Sequence, residues 1–455
     1  LALGAAAVAA GVAGCTRLAA DQPPPATDAA LLHAAVQGVT DVIVYDIFSP
    51  PQASRVYAYA SVAAYEALRQ GDPAYRTLAG QLHGLEPVPA RPADSVSLAL
   101  AGAHAYLSVG RALTFSQARV DSLRSAIDGR FRARGMSEPV FARSVAYGER
   151  VAAHVLAWAG TDGYKQSRGM PKFSVTDAPG RWVPTPPAYM DAVEPNWRTL
   201  RPFVMDSAAQ FPPLPPHPFD TAAASPYMRE VREVYEASRA LTAEQRALTA
   251  FWDCNPYVMH VQGHTMFATK KITPGGHWMG IAGLAARRVD ADALRSAEAY
   301  ARTALALADG FIAAWDEKYR SGTVRPETVI NSHLDPAWQP LLQTPPFPEY
   351  TSGHSVISTA AAVVLTDLFG RDFAFADSTE LEYGMPVRRF PSFEAAAAEA
   401  SISRLYGGIH FRRAIEQGVA QGRRVGALVV ERVRTRGGAP LVAAAAAPAA
   451  APAPR

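Results

Sequence analysis

Apolar residues recur every three to four positions through segment after segment of this 455-residue chain, and no run of alternating β-branched residues is long enough for a sheet. That combination points to an all-α body, a helical bundle. Leu31, Leu32, Ala35, Val36, Val39, Val42 and Ile43 keep to one face. Pro50-Pro51 opens a second helix with Val56, Tyr59, Ala60, Ala63, Ala64 and Leu68 on its stripe and Gly71 after it. Further helices are expected at Ser95–Gly110, Ser116–Arg134, Glu138–Ala159, Ser225–Arg239, Thr242–Trp252, Asp290–Tyr319, Ser355–Phe369, Ser392–Ser403 and Phe411–Arg434.

Residues 160–225 break the pattern. They are rich in proline and aromatic residues, without a sustained period. Trp182, Tyr189, Trp197 and Phe203 call for burial, so this excursion is expected to pack over the helices rather than swing free. The expected organisation is a body over 28–436, with a helical N-terminal lobe to about 160, the excursion, and a catalytic helical bundle from about 225. An Ala/Pro tail over 437–455 is expected to be disordered.

Two cysteines exclude a disulfide framework. Cys15 ends an apolar run closing Val12-Ala13-Gly14-Cys15, which resembles the end of a bacterial lipoprotein signal peptide with Cys15 as the lipidated residue. Residues 16–27, with Pro23-Pro24-Pro25, then read as a tether. The implied location is exported and membrane-anchored by lipid alone, at the periplasm or cell surface. No basic n-region precedes the run, so the chain as given is expected to start inside the signal. A net charge of +3 with no basic run beyond arginine pairs argues against a nucleic-acid partner.

The chemistry concentrates in the last third. Thr344–Ser358 opens with prolines that keep it extended, offers Ser352, Gly353 and His354, and runs into an apolar helical segment. Small residues at a helix start present N–H groups to an anion. On either side lie Lys318-Tyr-Arg-Ser-Gly-Thr-Val-Arg325-Pro326 and Ser403-Arg404-Leu-Tyr-Gly-Gly-Ile-His410. One lysine (of only five in the chain), two arginines, two histidines and an N–H-rich turn suit a tetrahedral or trigonal-bipyramidal oxyanion. One histidine can bond the central atom while the other moves protons.

Lys-x6-Arg-Pro, Ser-Gly-His and Ser-Arg-x5-His, in that order, resemble the three-part signature of the superfamily joining vanadium-dependent haloperoxidases to type 2 phosphatidic acid phosphatases. Upstream, Phe251-Trp252-Asp253, Thr273-Pro-Gly-Gly-His277-Trp278, Ser49-Pro50-Pro51 and Tyr57-Ala-Tyr59-Ala look like bacterial haloperoxidase-type members. The resemblance implies an all-α fold and vanadate as cofactor, with phosphate able to occupy the same site. It makes His410 the ligand that bonds vanadium. Lys318, Arg325, Arg404, Ser352 and the Gly353 N–H hold the oxygens, and His354 is the acid–base group. Trp315 and Phe347 match positions that help form a halide pocket in fungal chloroperoxidase-type members; simple core packing is the alternative for both.

The implied reaction uses hydrogen peroxide and a halide to make hypohalous acid, with Lys318 polarising the peroxide. The alternative is an acid phosphatase acting on a phosphomonoester, vanadate-inhibitable, with His410 as nucleophile. Length and the upstream motifs favour the haloperoxidase. Intact histidines and basic residues argue against a non-catalytic anion-binding lipoprotein. Members often pair, so a homodimer is an expectation. The His260-x3-His264 spacing is weighed as a metal pair on a helix and set aside, with a cover over the pocket preferred. His277 reads equally as a pocket residue or a buried histidine, and Cys254 as a buried, unreactive one. Asp253 is a candidate carboxylate partner for Arg404 or His410, whereas Glu394 and Glu399 read as a solvated helix face.

Overall fold

The computed structural model describes residues 27–436. The signal, most of the tether and the tail expected above, Cys15 included, lie outside the described residues. The chain order is α1 (Asp28–Tyr45), α2 (Pro50–Arg69), α3 (Leu98–Leu113), α4 (Gln117–Ala133), α5 (Glu138–Ala159), a single turn α6 (Tyr164–Ser167), α7 (Pro226–Arg239) and α8 (Ala243–Phe251). Then come the hairpin β1 (Val258–Gln262) and β2 (Thr265–Thr269), α9 (Pro274–Arg288), α10 (Ala293–Ser321), α11 (Pro326–His333) and α12 (Gly353–Phe369). A small antiparallel pair, β3 (Phe375–Asp377) and β4 (Arg388–Phe390), precedes α13 (Phe393–Tyr406) and α14 (Arg412–Arg432).

Local chemistry sets the helix starts. Side chains of Ser49, Ser225, Asp292 and Ser392 accept from backbone N–H groups three residues on, and Thr242 with Gln245 forms a full capping box. Besides the single turn α6, two helices escape the periodicity reading. The start of α9 is masked by glycines, yet Thr273 caps it and Pro274 begins it. Helix α11 is only two turns long. The His260–His264 segment is a hairpin, not a helix. Gly263 has φ +57° at its tip, where a left-handed conformation is needed, and His260 bonds Thr269. The two histidines therefore share no helix face.

Helix α10 is buried along nearly its whole length and packs against α1, α2, α9, α12 and α14. One continuous core runs from Leu31 to Val433, joining the N-terminal helices to those that carry the signature. Helix α12 lies against α14 because of three glycines spaced four apart. A Cβ on Gly418, Gly422 or Gly426 would meet the carbonyl oxygens of Ser352, Val356 and Ala360 at 2.9, 2.1 and 2.8 Å. Only backbone-to-backbone contact fits there, which seats the start of α12 on α14.

The proline-rich excursion is stitched to the core. Trp182 and Trp197 are fully buried, whereas Tyr189, expected inside, is 64% exposed. The Asp309 carboxylate on α10 accepts from the N–H groups of Phe203, Val204 and Met205. The Val193 carbonyl accepts from Trp315 Nε1 and Tyr319 OH, and its N–H donates to Pro346. This excursion thus backs the wall of the cleft below.

Candidate active site

Four chain segments build the cleft: the end of α10, the extended run 344–352 with the first turn of α12, the α13–α14 junction, and the loop after α8. Helix α12 begins at Gly353, two residues earlier than its apolar stripe suggests, with Ser352 as N-cap accepting from Ser355 N–H. Gly353 and His354 are therefore first-turn residues, where the helix dipole favours negative charge. Trp315, Phe347, Gly353, His354, Arg404 and His410 line one cleft with about 510 Å³ of atom-free space including its mouth. Lys318, Arg325 and Ser352 are buried.

His410 is held from both sides. Its Nε2 lies 3.2 Å from Arg325 Nη1, which also donates to Ile409 O, and its Nδ1 lies 2.8 Å from Glu349 Oε1. An arginine can only donate, so Nε2 carries the lone pair and the proton sits on Nδ1, donated to Glu349. Burial and the charges of Arg325, Lys318 and Arg404 push His410 well below the usual histidine range, leaving a neutral imidazole. Burial pushes Glu349 up to about 8, against the pull of Arg325 and Lys318, and the same oxygen accepts the Phe411 N–H.

No sequence motif marks Glu349 as the partner of His410. The available signal was an acid set among prolines and aromatics just before Ser-Gly-His, a poor place for a solvated charge. Asp253, expected to partner Arg404 or His410, forms its ion pair with Lys271 at 2.7 Å and reaches Arg404 through its charge alone. Arg404 is held by Ser403 Oγ and by the Trp252 carbonyl, at 2.9 and 2.7 Å. Glu399 is not a solvated face residue, because it accepts from Trp252 Nε1 and from Arg388.

Lys318 differs from expectation in its bonding. Its ammonium donates to the carbonyls of Pro348, Glu349 and Thr351, at 3.0, 3.0 and 2.5 Å. Its three protons are thereby committed to shaping the loop that carries Glu349, and it acts on the cleft through its charge. Burial, then the charge of Arg325, pushes Lys318 well below the usual lysine range, and burial brings Arg325 down to about 10. Phe347 lies between the two cations, its ring centroid 5.1 Å from Lys318 Nζ and 5.0 Å from Arg325 Cζ. The Trp315 and Phe347 rings are 4.9 Å apart. His354 is driven well below the usual range by burial and by Arg404, so it too is neutral.

The cleft thus gathers three buried cations, two neutral histidines and a helix start, a set made for an oxyanion bonded through nitrogen. The family model for the VCPO second helical-bundle domain matches residues 298–437. No curated protein matches the chain. The crystal structure of a bacterial vanadium-dependent iodoperoxidase is 49% identical, covering 89% of this chain and 97% of that one, with a TM-score of 0.85. The chain belongs to the vanadium-dependent haloperoxidases. Holo- and apo-type bacterial vanadium-dependent chloroperoxidases share this haloperoxidase's fold at 19% identity and TM-scores of 0.63, covering 85% and 83% of the chain and 93% and 92% of theirs. The helical body expected from periodicity is the fold of these structures, and the iodoperoxidase similarity places the chain in the haloperoxidase branch.

Proposed function

We propose that this haloperoxidase holds vanadate bonded to His410 and oxidises iodide with hydrogen peroxide to hypoiodous acid. The observation that carries the reading is the neutral His410, its Nδ1 proton on Glu349 and its Nε2 lone pair beside Arg325. Buried Arg325 Nη2 and His354 Nε2 have no hydrogen-bond partner among the described residues. Glu349 is the acidic neighbour that Lys318 and Arg325 share, with Glu317 beside the first and Glu327 beside the second. An oxyanion supplies both the acceptors and the counter-charge, so the donor set fits the cofactor.

His410 Nε2 would serve as its nitrogen ligand, while Arg325, Arg404 and the Gly353 N–H would hold its oxygens. Lys318 contributes charge and keeps the 348–351 loop in place. When bound, vanadate acts as a Lewis acid that activates peroxide without changing oxidation state. His354, neutral in the cleft wall, takes up a proton at Nε2 and returns it. Trp315 and Phe347 give an apolar wall suited to a large, weakly hydrated halide. The 49% identity to an iodoperoxidase supports iodide over the smaller halides.

The test is a paired assay. Vanadate-dependent formation of triiodide, faster than oxidation of bromide, is expected. Release of p-nitrophenol from its phosphate ester, inhibited by vanadate and without iodide oxidation, would overturn the reading. Lipid anchoring at Cys15, export and a homodimer belong to the same reading, the first two supported by the Val12-Ala13-Gly14-Cys15 run. Among the described residues no helix is long and apolar enough to cross a membrane. Labelling with a palmitate analogue that is lost in C15A, and sedimentation of the purified protein, check them.

A further inference from the structure

At one side of the cleft, whose lining includes Cys254, three residues from separate segments meet, and no step of the reaction uses them. Cys254 follows α8, His277 is on α9 and Glu380 follows β3. The Cys254 Sγ lies 3.3 Å from His277 Nδ1 and 3.6 Å from Glu380 Oε1, and His277 Nδ1 lies 3.0 Å from Glu380 Oε1. All three are buried.

We propose that Cys254, His277 and Glu380 form a second metal site, one for a zinc-type divalent cation held by thiolate, imidazole and carboxylate. Zinc bonds of about 2.0–2.3 Å in a tetrahedron require ligand atoms roughly 3.3–3.7 Å apart. The triangle already present is within a few tenths of an ångström of that. The far nitrogen supplies the independent mark of a ligand histidine: His277 Nε2 lies 2.7 Å from Asp377 Oδ2, the carboxylate–histidine pairing that orients metal-bound imidazoles. Asp377 is itself fixed by the Thr379 N–H and hydroxyl, at 3.0 and 2.6 Å. The imidazole stacks on Trp252 at 4.6 Å and 17°, which fixes its plane.

The thiolate selects zinc and its softer neighbours over magnesium or calcium. Binding releases two protons, one from the thiol and one from imidazole Nδ1, in exchange for a dication. The net charge of the buried cluster is thus unchanged. Three protein ligands leave a fourth position for water. The cation would tie α9 and the segment after β3 to the loop after α8. That loop adjoins Trp252, whose carbonyl holds Arg404. The site is distinct from the vanadate ligand His410 and does not depend on it.

The experiment uses the untagged full chain in a C15S background, so that Cys254 is its only thiol, in vanadate-free buffer. After equilibration with zinc and passage over a weak chelating resin, mass spectrometry is expected to find one zinc per chain. C254S and E380Q, which keep size and polarity, are expected to retain less than a tenth of that. Cobalt in place of zinc is expected to give a near-ultraviolet thiolate-to-cobalt band that C254S lacks. Zinc retention equal in C254S and its parent overturns the proposal. So does a cobalt complex of the parent without the thiolate band, a readout that stands even if the variants fail to fold.

Discussion

His410 and Glu349, 61 positions apart in sequence, meet at 2.8 Å, and the contact sets which nitrogen of the histidine is free to bind. E349A removes the acceptor that keeps the proton on Nδ1. Vanadate affinity is expected to fall roughly 10- to 100-fold, the usual cost of losing such a partner. H410A is expected to abolish turnover altogether while far-ultraviolet circular dichroism stays unchanged. Vanadate titrations of both variants check the pair, and an unaltered Kd in E349A would deny the carboxylate that role.

Lys318 holds three carbonyls of one loop, so K318M is expected to cost stability as well as activity. Charge-assisted hydrogen bonds are worth about 1.5–3 kcal/mol each, and a loss of about 3 kcal/mol in all is expected after relaxation. Urea unfolding measures it. Loss of turnover with full stability would mean that the ammonium serves the anion directly.

Phe347 packs against Trp315 and beside both cations. F347H puts a polar, titratable ring on that wall and is expected to change the ratio of iodide to bromide oxidation severalfold. Vanadate affinity should move less. Steady-state kinetics with each halide separate the two effects.

The α12–α14 seam tolerates only glycine at its middle position. A methyl group at Gly422 would lie 2.1 Å from the Val356 carbonyl. G422A is expected to cost about 3 kcal/mol by overpacking and, by shifting the start of α12, to reduce kcat. The thermal unfolding midpoint and kcat should fall together.

His33, buried with Nδ1 at 2.7 Å from the Tyr300 hydroxyl, is pushed down to about 4 by burial and then by Arg287. Its folded value lies below the unfolded one, so between about pH 4 and 6.5 the unfolded chain binds the extra proton. Stability is therefore expected to rise with pH across that window and level off above it. The gain is at most about 3 kcal/mol. The gap between urea midpoints at pH 4.5 and 7 should narrow in H33N, with buried His354 and His410, also held low, supplying what remains.

The amino-acid sequence alone determined whatever depends on near neighbours. Helix stripes, caps and proline starts arise within a few residues, so most helices were legible to within three residues at their ends. The three short motifs likewise name Arg325, Arg404 and His354, each beside its own Pro, Ser or Gly, and His410, six positions after Arg404. Helix α9 was lost where glycines hid a cap, and the His260–His264 spacing suggested a helix where a left-handed Gly263 closes a hairpin. Tertiary structure decided the rest, since its contacts join residues far apart in the chain and leave no local pattern. The Trp252 carbonyl reaches Arg404 across 152 positions, and Glu349, not Asp253, reaches His410. Lys318, read as a ligand for an oxyanion, turned out to spend its protons on carbonyls about 30 residues away. A motif specifies which charged groups are present; only the packing of α10, α12 and α14 specifies what each of them can touch.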